Sequence, residues 1–143
     1  MPVYQTDCDV RSEEATIAFV SAYTGLIAKR MPDFSDFDYA MVDKSTNQVR
    51  MMIEIKNRKA DAAKYPTIML SMNKVMAAHE WAAQGIVCKL VVRVGKGVPR
   101  WIDINGTLPH SIKWGGRNGR NHDEPVAHYI KDDFEVIGNA DCA

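Results

Sequence analysis

Apolar residues recur at helical spacing early in the chain: Ala15, Ala18, Phe19, Ala22 and Leu26 fall on one side of a 3.6-residue repeat. Asp9 and Ser12 stand before them as candidate N-caps, whose side-chain oxygens can accept the free N–H groups of a first turn. Glu13 and Glu14 fall in that turn, where the helix dipole favours carboxylates. Pro32 disfavours helical backbone just before it, so the helix is expected to fade near Lys29. The period then changes to two. FDYAMVD (37–43) reads as a strand, KSTNQ (44–48) as a polar turn and VRMMIEIK (49–56) as a second strand. In the second strand Val49, Met51, Ile53 and Ile55 point one way, and Arg50, Met52, Glu54 and Lys56 the other. The first face is expected in the core and the second to be mostly polar.

NRKADAAK (57–64) is a polar connection, and residues 65–70 read as a short extended piece with Pro66 at an edge or a start. Ser71 is the expected N-cap of a second helix running to about Gln84, with Gly85 as its C-cap. Met72, Val75, Met76 and His79 supply its apolar stripe, which makes His79 a packing residue. IVCKLVVRV (86–94) is the most apolar strand and is expected at the centre of a sheet. GKG (95–97) is a turn and RWIDI (100–104) a strand. Residues 111–121, rich in Gly, Arg and Asn, read as an exposed loop, and PVAHYI (125–130) as a late strand. No internal repeat interrupts this order.

Composition narrows the class. Of the 143 residues, 46% are hydrophobic and 25% charged, an ordinary globular balance. The length suits one domain over residues 1–143, with a core at about 12–94 and strands plus a basic loop in 95–143. No apolar run approaches the roughly 20 residues of a membrane helix. The acidic, polar start does not read as a secretory signal, so a cytoplasmic home is expected. Net charge is zero, which weighs mildly against a nucleic-acid binder, although a local basic stripe can sit on a neutral protein. Cys8, Cys88 and Cys142 are scattered, without the spacing of a disulfide framework or zinc site. Cys88 lies in an apolar run, as a small buried hydrophobe would.

The candidate chemistry centres on Glu54-Ile55-Lys56. Strand alternation puts Glu54 and Lys56 on one face while Ile55 anchors the other. The preceding strand carries Asp38, which a short turn can bring beside Glu54. Two carboxylates at one spot repel each other, and a divalent cation relieves this; hard oxygen ligands favour magnesium or manganese. Such a cation lowers the pKa of bound water and stabilises charge on a phosphate, while an ammonium such as Lys56 orients the water or offsets developing charge. By itself an E-x-K triplet is commonplace, and its ordinary reading is an exposed strand face with a cross-strand ion pair. What distinguishes this one is its place after a helix and an acidic strand, and before a basic stretch, a helix and a buried strand.

That order over residues 12–94 resembles the PD-(D/E)XK nuclease superfamily, through FDYAMVD with Asp38, IEIKNRK with Glu54, Lys56 and Arg58, and YPTIMLSMNK. The likeness is to compact, phage-encoded members. It implies an α/β fold of restriction-endonuclease type, an α-β-β-β-α-β core with a mixed central sheet flanked by helices. It also implies Asp38 and Glu54 as metal ligands, the carbonyl of Ile55 completing the set, Lys56 as the catalytic lysine and Glu14 as a further acid from the first helix, with Glu13 close behind. The literal Pro-Asp pair is Pro32-Asp33, so Asp33 and Asp36 are alternatives to Asp38. Asp38 is preferred because it lies inside a strand between Phe37 and Tyr39. The implied activity is hydrolysis of DNA with Mg2+ or Mn2+, structure-dependent or non-specific, in phage recombination, repair or host DNA breakdown. The host cytoplasm would then be its place of action.

Further basic residues have two readings each. Arg58 and Lys59 suit phosphate or a solvated loop. Lys74, on the first turn of the second helix, faces the site or is an ordinary surface lysine. Lys113, Arg117 and Arg120 around Trp114 suit single-stranded or distorted nucleic acid, or an exposed loop. His122, Asp123 and Glu124 are adjacent but would point in different directions, which argues against a metal site. Trp81 and Trp101 are core or partial core. The competing functions are a non-catalytic nucleic-acid-binding or phage accessory protein on the same fold, and a purely structural domain whose Glu54 face is solvated. DNA is the expected partner, with a homodimer where both duplex strands are cut.

Overall fold

A computed structural model describes residues 7–59, 64–115 and 124–138, with side chains from Ser12 onward in the first helix. In chain order the elements are α1 (Asp7–Thr24), β1 (Ile27–Arg30), β2 (Tyr39–Val42), β3 (Val49–Arg58), β4 (Thr67–Ser71), α2 (Met72–Ala83), β5 (Val87–Val94), β6 (Arg100–Asp103), β7 (Ser111–Trp114), β8 (Pro125–Ile130), a 3-10 turn (Lys131–Asp133) and β9 (Glu135–Val136). No helix among the described residues is long and apolar enough to cross a membrane.

Helix α1 stops at Thr24, short of the expected Lys29. Gly25 takes a left-handed φ of 73°, and its N–H still reaches the carbonyl of Ser21 at 2.9 Å. A glycine adopts this conformation at little cost and so terminates the helix. IAKR then becomes β1 instead of a last helical turn, paired antiparallel with β2 from Ile27–Val42 to Arg30–Tyr39.

The main sheet runs β1-β2-β3-β5-β6-β9, and β4-β8-β7 form a second, antiparallel sheet. Among the described strands only β3 and β5 pair in parallel, from Met51–Val87 to Arg58–Val94, which makes the large sheet mixed. The α-β-β-β-α-β order is therefore realised by α1-β1-β2-β3-α2-β5. The strand expected at 65–70 exists as β4, but it belongs to the second sheet. Strand β5 is interior, as its apolar run implied. Part of the expected loop at 111–121 is β7, whose exposed residues pair with β8 from Ser111–His128 to Trp114–Pro125.

Two cores enclose the large sheet. On one face α1 places Ile17 and Val20 against Tyr39, Met41, Ile53, Ile55 and Val91. On the other, α2 and the small sheet cover Met52, Cys88, Leu90 and Val92 with Val75, Ala78, Ile68 and Leu70. Both faces of β3 are thus occupied, and the face expected to be mostly polar carries fully buried Met52 and Glu54 at 5% exposure. On α2 the buried residues are Val75 and Ala78; Met76 and His79 are exposed, so His79 is not the packing residue expected. Val75 and Ala78, three residues apart, form the inward face, so Met76 and His79, about 100° round from each, face solvent. Cys88 is buried, which pushes its thiol up to about 12. Trp101 is half-buried, edge-on to Tyr23 at 5.9 Å and beneath the Lys89 ammonium at 4.8 Å. Trp81 packs, partly buried, against the α2-side core.

Candidate active site

Asp38 ends the loop into β2 and is held by backbone on both sides. Its N–H donates to the carbonyl of Ile53 and its carbonyl accepts from Met31, each at 2.9 Å. Its carboxylate Oδ2 accepts the N–H of Ile55 at 2.8 Å. A side chain therefore replaces the next backbone rung between β2 and β3 and fixes the acid directly beside Glu54. Asp33 and Asp36 are exposed on the preceding turns. The Asp38 side chain is thus bonded directly to the E-x-K strand.

Glu54 lies on the α2-facing side of β3. Its Oε2 accepts from Lys74 Nζ at 2.6 Å, while its buried Oε1 has no hydrogen-bond partner among the described residues. Burial pushes its carboxyl up to about 7, the Asp38 charge adds to the rise, and Lys74 and Lys56 oppose it. Lys74 therefore faces the site. The Ser71 cap positions it: Ser71 Oγ accepts the N–H of Asn73 at 3.2 Å and donates to the Glu124 carboxylate at 2.5 Å, so α2 begins where its first turn overhangs β3. Lys56 and Arg58 are partly buried further along the same face of β3, and Lys59 is exposed beyond its end.

The first helix contributes differently from expectation. Thr16 is fully buried, its hydroxyl between the Ser12 carbonyl and Asn57 Oδ1 at 3.0 Å each. With Thr16 and Ile17 packed inward, Glu13 lies on the helix flank and Glu14, about 100° further round, is exposed. Glu13 meets Arg30 at 3.3 Å beside Tyr39, whose hydroxyl is pushed up by burial first and then by Glu13. No cluster of three or more His, Cys, Asp or Glu side chains suited to a metal ion occurs among the described residues, so Glu14 is not gathered with Asp38 and Glu54. Arg117, Arg120, His122 and Asp123 lie outside the described residues.

A divalent cation fits what is present. The unpartnered Glu54 Oε1, the Asp38 carboxylate and the carbonyl of Ile55 are hard oxygen donors at one sheet end. Magnesium ordinarily takes one or two carboxylates and fills its remaining positions with water and phosphate. Sequence reasoning missed the Asp38–Ile55 bond and the Thr16–Asn57 link, because both join residues far apart in the chain.

The chain matches, over residues 1–138, the family model described as "Phage putative PDDEXK endonuclease". Among solved structures it is similar to Hjc of Archaeoglobus fulgidus, a Holliday junction resolvase from an archaeal hyperthermophile, at 15% identity and a TM-score of 0.52, covering 86% of this chain and 83% of that one. At that identity the likeness carries the restriction-endonuclease-like fold alone. No curated protein matches the chain.

Proposed function

The chain belongs to the phage PDDEXK endonuclease family, and from that premise we propose that it hydrolyses DNA phosphodiester bonds at Asp38, Glu54 and Lys56 with the help of Mg2+ or Mn2+. The observation that carries this reading is the state of Glu54: a carboxylate at 5% exposure, beside a second acid, with one oxygen on a lysine and the other without a donor among the described residues. A buried group of this kind is costly to keep for stability alone.

When bound, the cation supplies an acidified water and charge stabilisation at the phosphate. Asp38 and Glu54 would hold it, with the Ile55 carbonyl. The Ile55 N–H fixes the Asp38 carboxylate, so the acid stays aimed while the substrate enters. Lys74 lowers the cost of ionising Glu54, which burial opposes. Lys56 orients the attacking water and offsets negative charge as it develops on the phosphate. Arg58 and Lys59 continue the basic run and suit neighbouring phosphates.

Labelled single-stranded, duplex and branched DNA, each with Mg2+, Mn2+ or EDTA, tests the reading. Metal-dependent cutting by the wild type that disappears in Glu54→Ala and Lys56→Ala is expected. Cutting that survives both substitutions would move the site elsewhere. A non-catalytic reading on the same fold draws on the Lys74–Glu54 pair, whose ammonium already neutralises the acid; it predicts DNA binding with no cutting of any substrate.

A further inference from the structure

Strand β7 carries the apolar face of the small sheet out beyond the core. Leu70, Ala127 and Ile112 lie level across β4, β8 and β7 and point to one side. Leu70 and Ala127 are buried, yet Ile112 is 55% exposed. Trp114, two residues on and on the same side, is 71% exposed, and no ring stacks on it among the described residues. Lys113, between them, projects from the opposite side and is exposed as well. An indole normally buries its ring, so an uncovered one on a paired strand leaves a large apolar surface in water. The strand's position ties it to the proposed reaction centre. The N–H of Gly115 donates to the carbonyl of Glu124, and the Glu124 carboxylate accepts from Ser71, the cap of α2. Three residues further along that helix, Lys74 holds Glu54. Ser71, Val126 and Lys113 lie level across the small sheet, so Lys113 stands two strand spacings, about 10 Å, from the cap, with Trp114 next to it.

We infer that Trp114, with Ile112, stacks on an unpaired base of the DNA close to the scissile bond, while Lys113 meets a neighbouring phosphate. The inference rests on the proposed reaction centre at Glu54. Every base has a π-face that an exposed indole can cover, whereas in continuous duplex both faces are taken by the adjoining bases. Ile112 beside the ring adds aliphatic surface for the same base. A cation on the other side of the same edge strand suits backbone phosphate. Two side chains offer far less than the roughly 800 Å2 per partner of a stable protein interface, but enough for one base. The site therefore favours DNA whose stacking is interrupted near the cut.

The test is fluorescence-anisotropy titration of labelled DNA with the whole protein, in EDTA so that no cutting occurs. The probes are a fully paired duplex, the same duplex with one unpaired thymine, and its single strand. Trp114→Ala should weaken binding of the two probes with unpaired bases about tenfold and leave the paired duplex near wild type. Trp114→Phe, which keeps a ring, should retain most of the affinity, and Lys113→Ala should weaken all three probes alike. Both positions are exposed, and the unchanged paired duplex reports that the fold survives. An equal effect of Trp114→Ala on all three probes, no effect on any, or a loss in Trp114→Phe as large as in Trp114→Ala would overturn the stacking site. So would a wild-type dimer that Trp114→Ala converts to monomer in DNA-free sedimentation, since the face would then belong to a second copy. Binding is read without metal, so its failure leaves Glu54-dependent cutting untouched, and loss of cutting leaves this binding measurable.

Discussion

At the scale of single residues, the proposed chemistry turns on a carboxyl placed where ionisation is costly. Glu54 has an ordinary value of 4.5 and is pushed to about 7, chiefly by burial and then by Asp38. Between those values the unfolded chain has already lost the proton that the folded protein retains. Metal-free stability should therefore fall as pH rises from about 4.5 to 7 and level off above, by up to about 3 kcal/mol for this group. In thermal melts from pH 5 to 8, Glu54→Gln should lack that component, which is worth on the order of 5–10 °C. A slope identical in wild type and variant would contradict the assignment. Removing the neighbouring cation should act in the opposite pH range. Lys74→Met is expected to cost about 3 kcal/mol at pH 8, where Glu54 is ionised, and much less at pH 5, where it is protonated; denaturant unfolding at the two pH values measures the difference. The identities of these residues were legible in the sequence, since alternation along VRMMIEIK puts Glu54 and Lys56 on one face. The burial was not, because nothing local to the strand shows that α2 and β4 cover that face.

At the scale of elements, helix ends and short strands decide where the site residues stand. Gly25 at φ 73° stops α1 and frees IAKR to pair with β2. Gly25→Ala should lower the melting temperature by roughly 2–4 °C, the effect of about 1 kcal/mol of left-handed strain. An unchanged melting temperature would mean that the turn relaxes. Ser71→Ala should remove the α2 cap at a cost of about 1 kcal/mol, measured by chemical denaturation, and should loosen the helix start that carries Lys74. The second helix was legible from its cap and its glycine stop. The end of the first was misread because Pro32 drew the boundary downstream of Gly25. Strands β1 and β7 were missed for a related reason: each is four residues long with basic positions, and each is held by its neighbour's pairing. Such edges carry too few apolar residues to announce themselves.

Over the whole molecule, 18 basic and 18 acidic residues cancel, so attraction for DNA has to come from a local run of charge. Lys56, Arg58, Lys59 and Arg100 lie along or beside one sheet end. Four phosphate contacts would give duplex affinity a log–log salt slope of about −3 to −4. A slope near zero in equilibrium titrations would exclude that surface as the DNA contact. The α-β-β-β-α-β order was legible as a whole, although β1 was read as the end of the helix and residues 65–70, which belong to the second sheet, filled the count of three strands; the pairing between β1 and β2 has no signature in either piece alone. The same limit applies to the choice among Asp33, Asp36 and Asp38, where sequence preferred Asp38 with the other two as alternatives. The bond from Ile55 N–H to Asp38 supports Asp38, and the proposed chemistry depends on that choice. Single-turnover cleavage of DNA in Mg2+ by Asp33→Asn, Asp36→Asn and Asp38→Asn tests it most directly, since asparagine can keep the acceptor for Ile55 while removing the charge. A loss of about 100-fold or more in Asp38→Asn alone, with the other two near wild type, is the predicted result. Full activity in Asp38→Asn, with loss in Asp33→Asn or Asp36→Asn, would contradict the account at its centre.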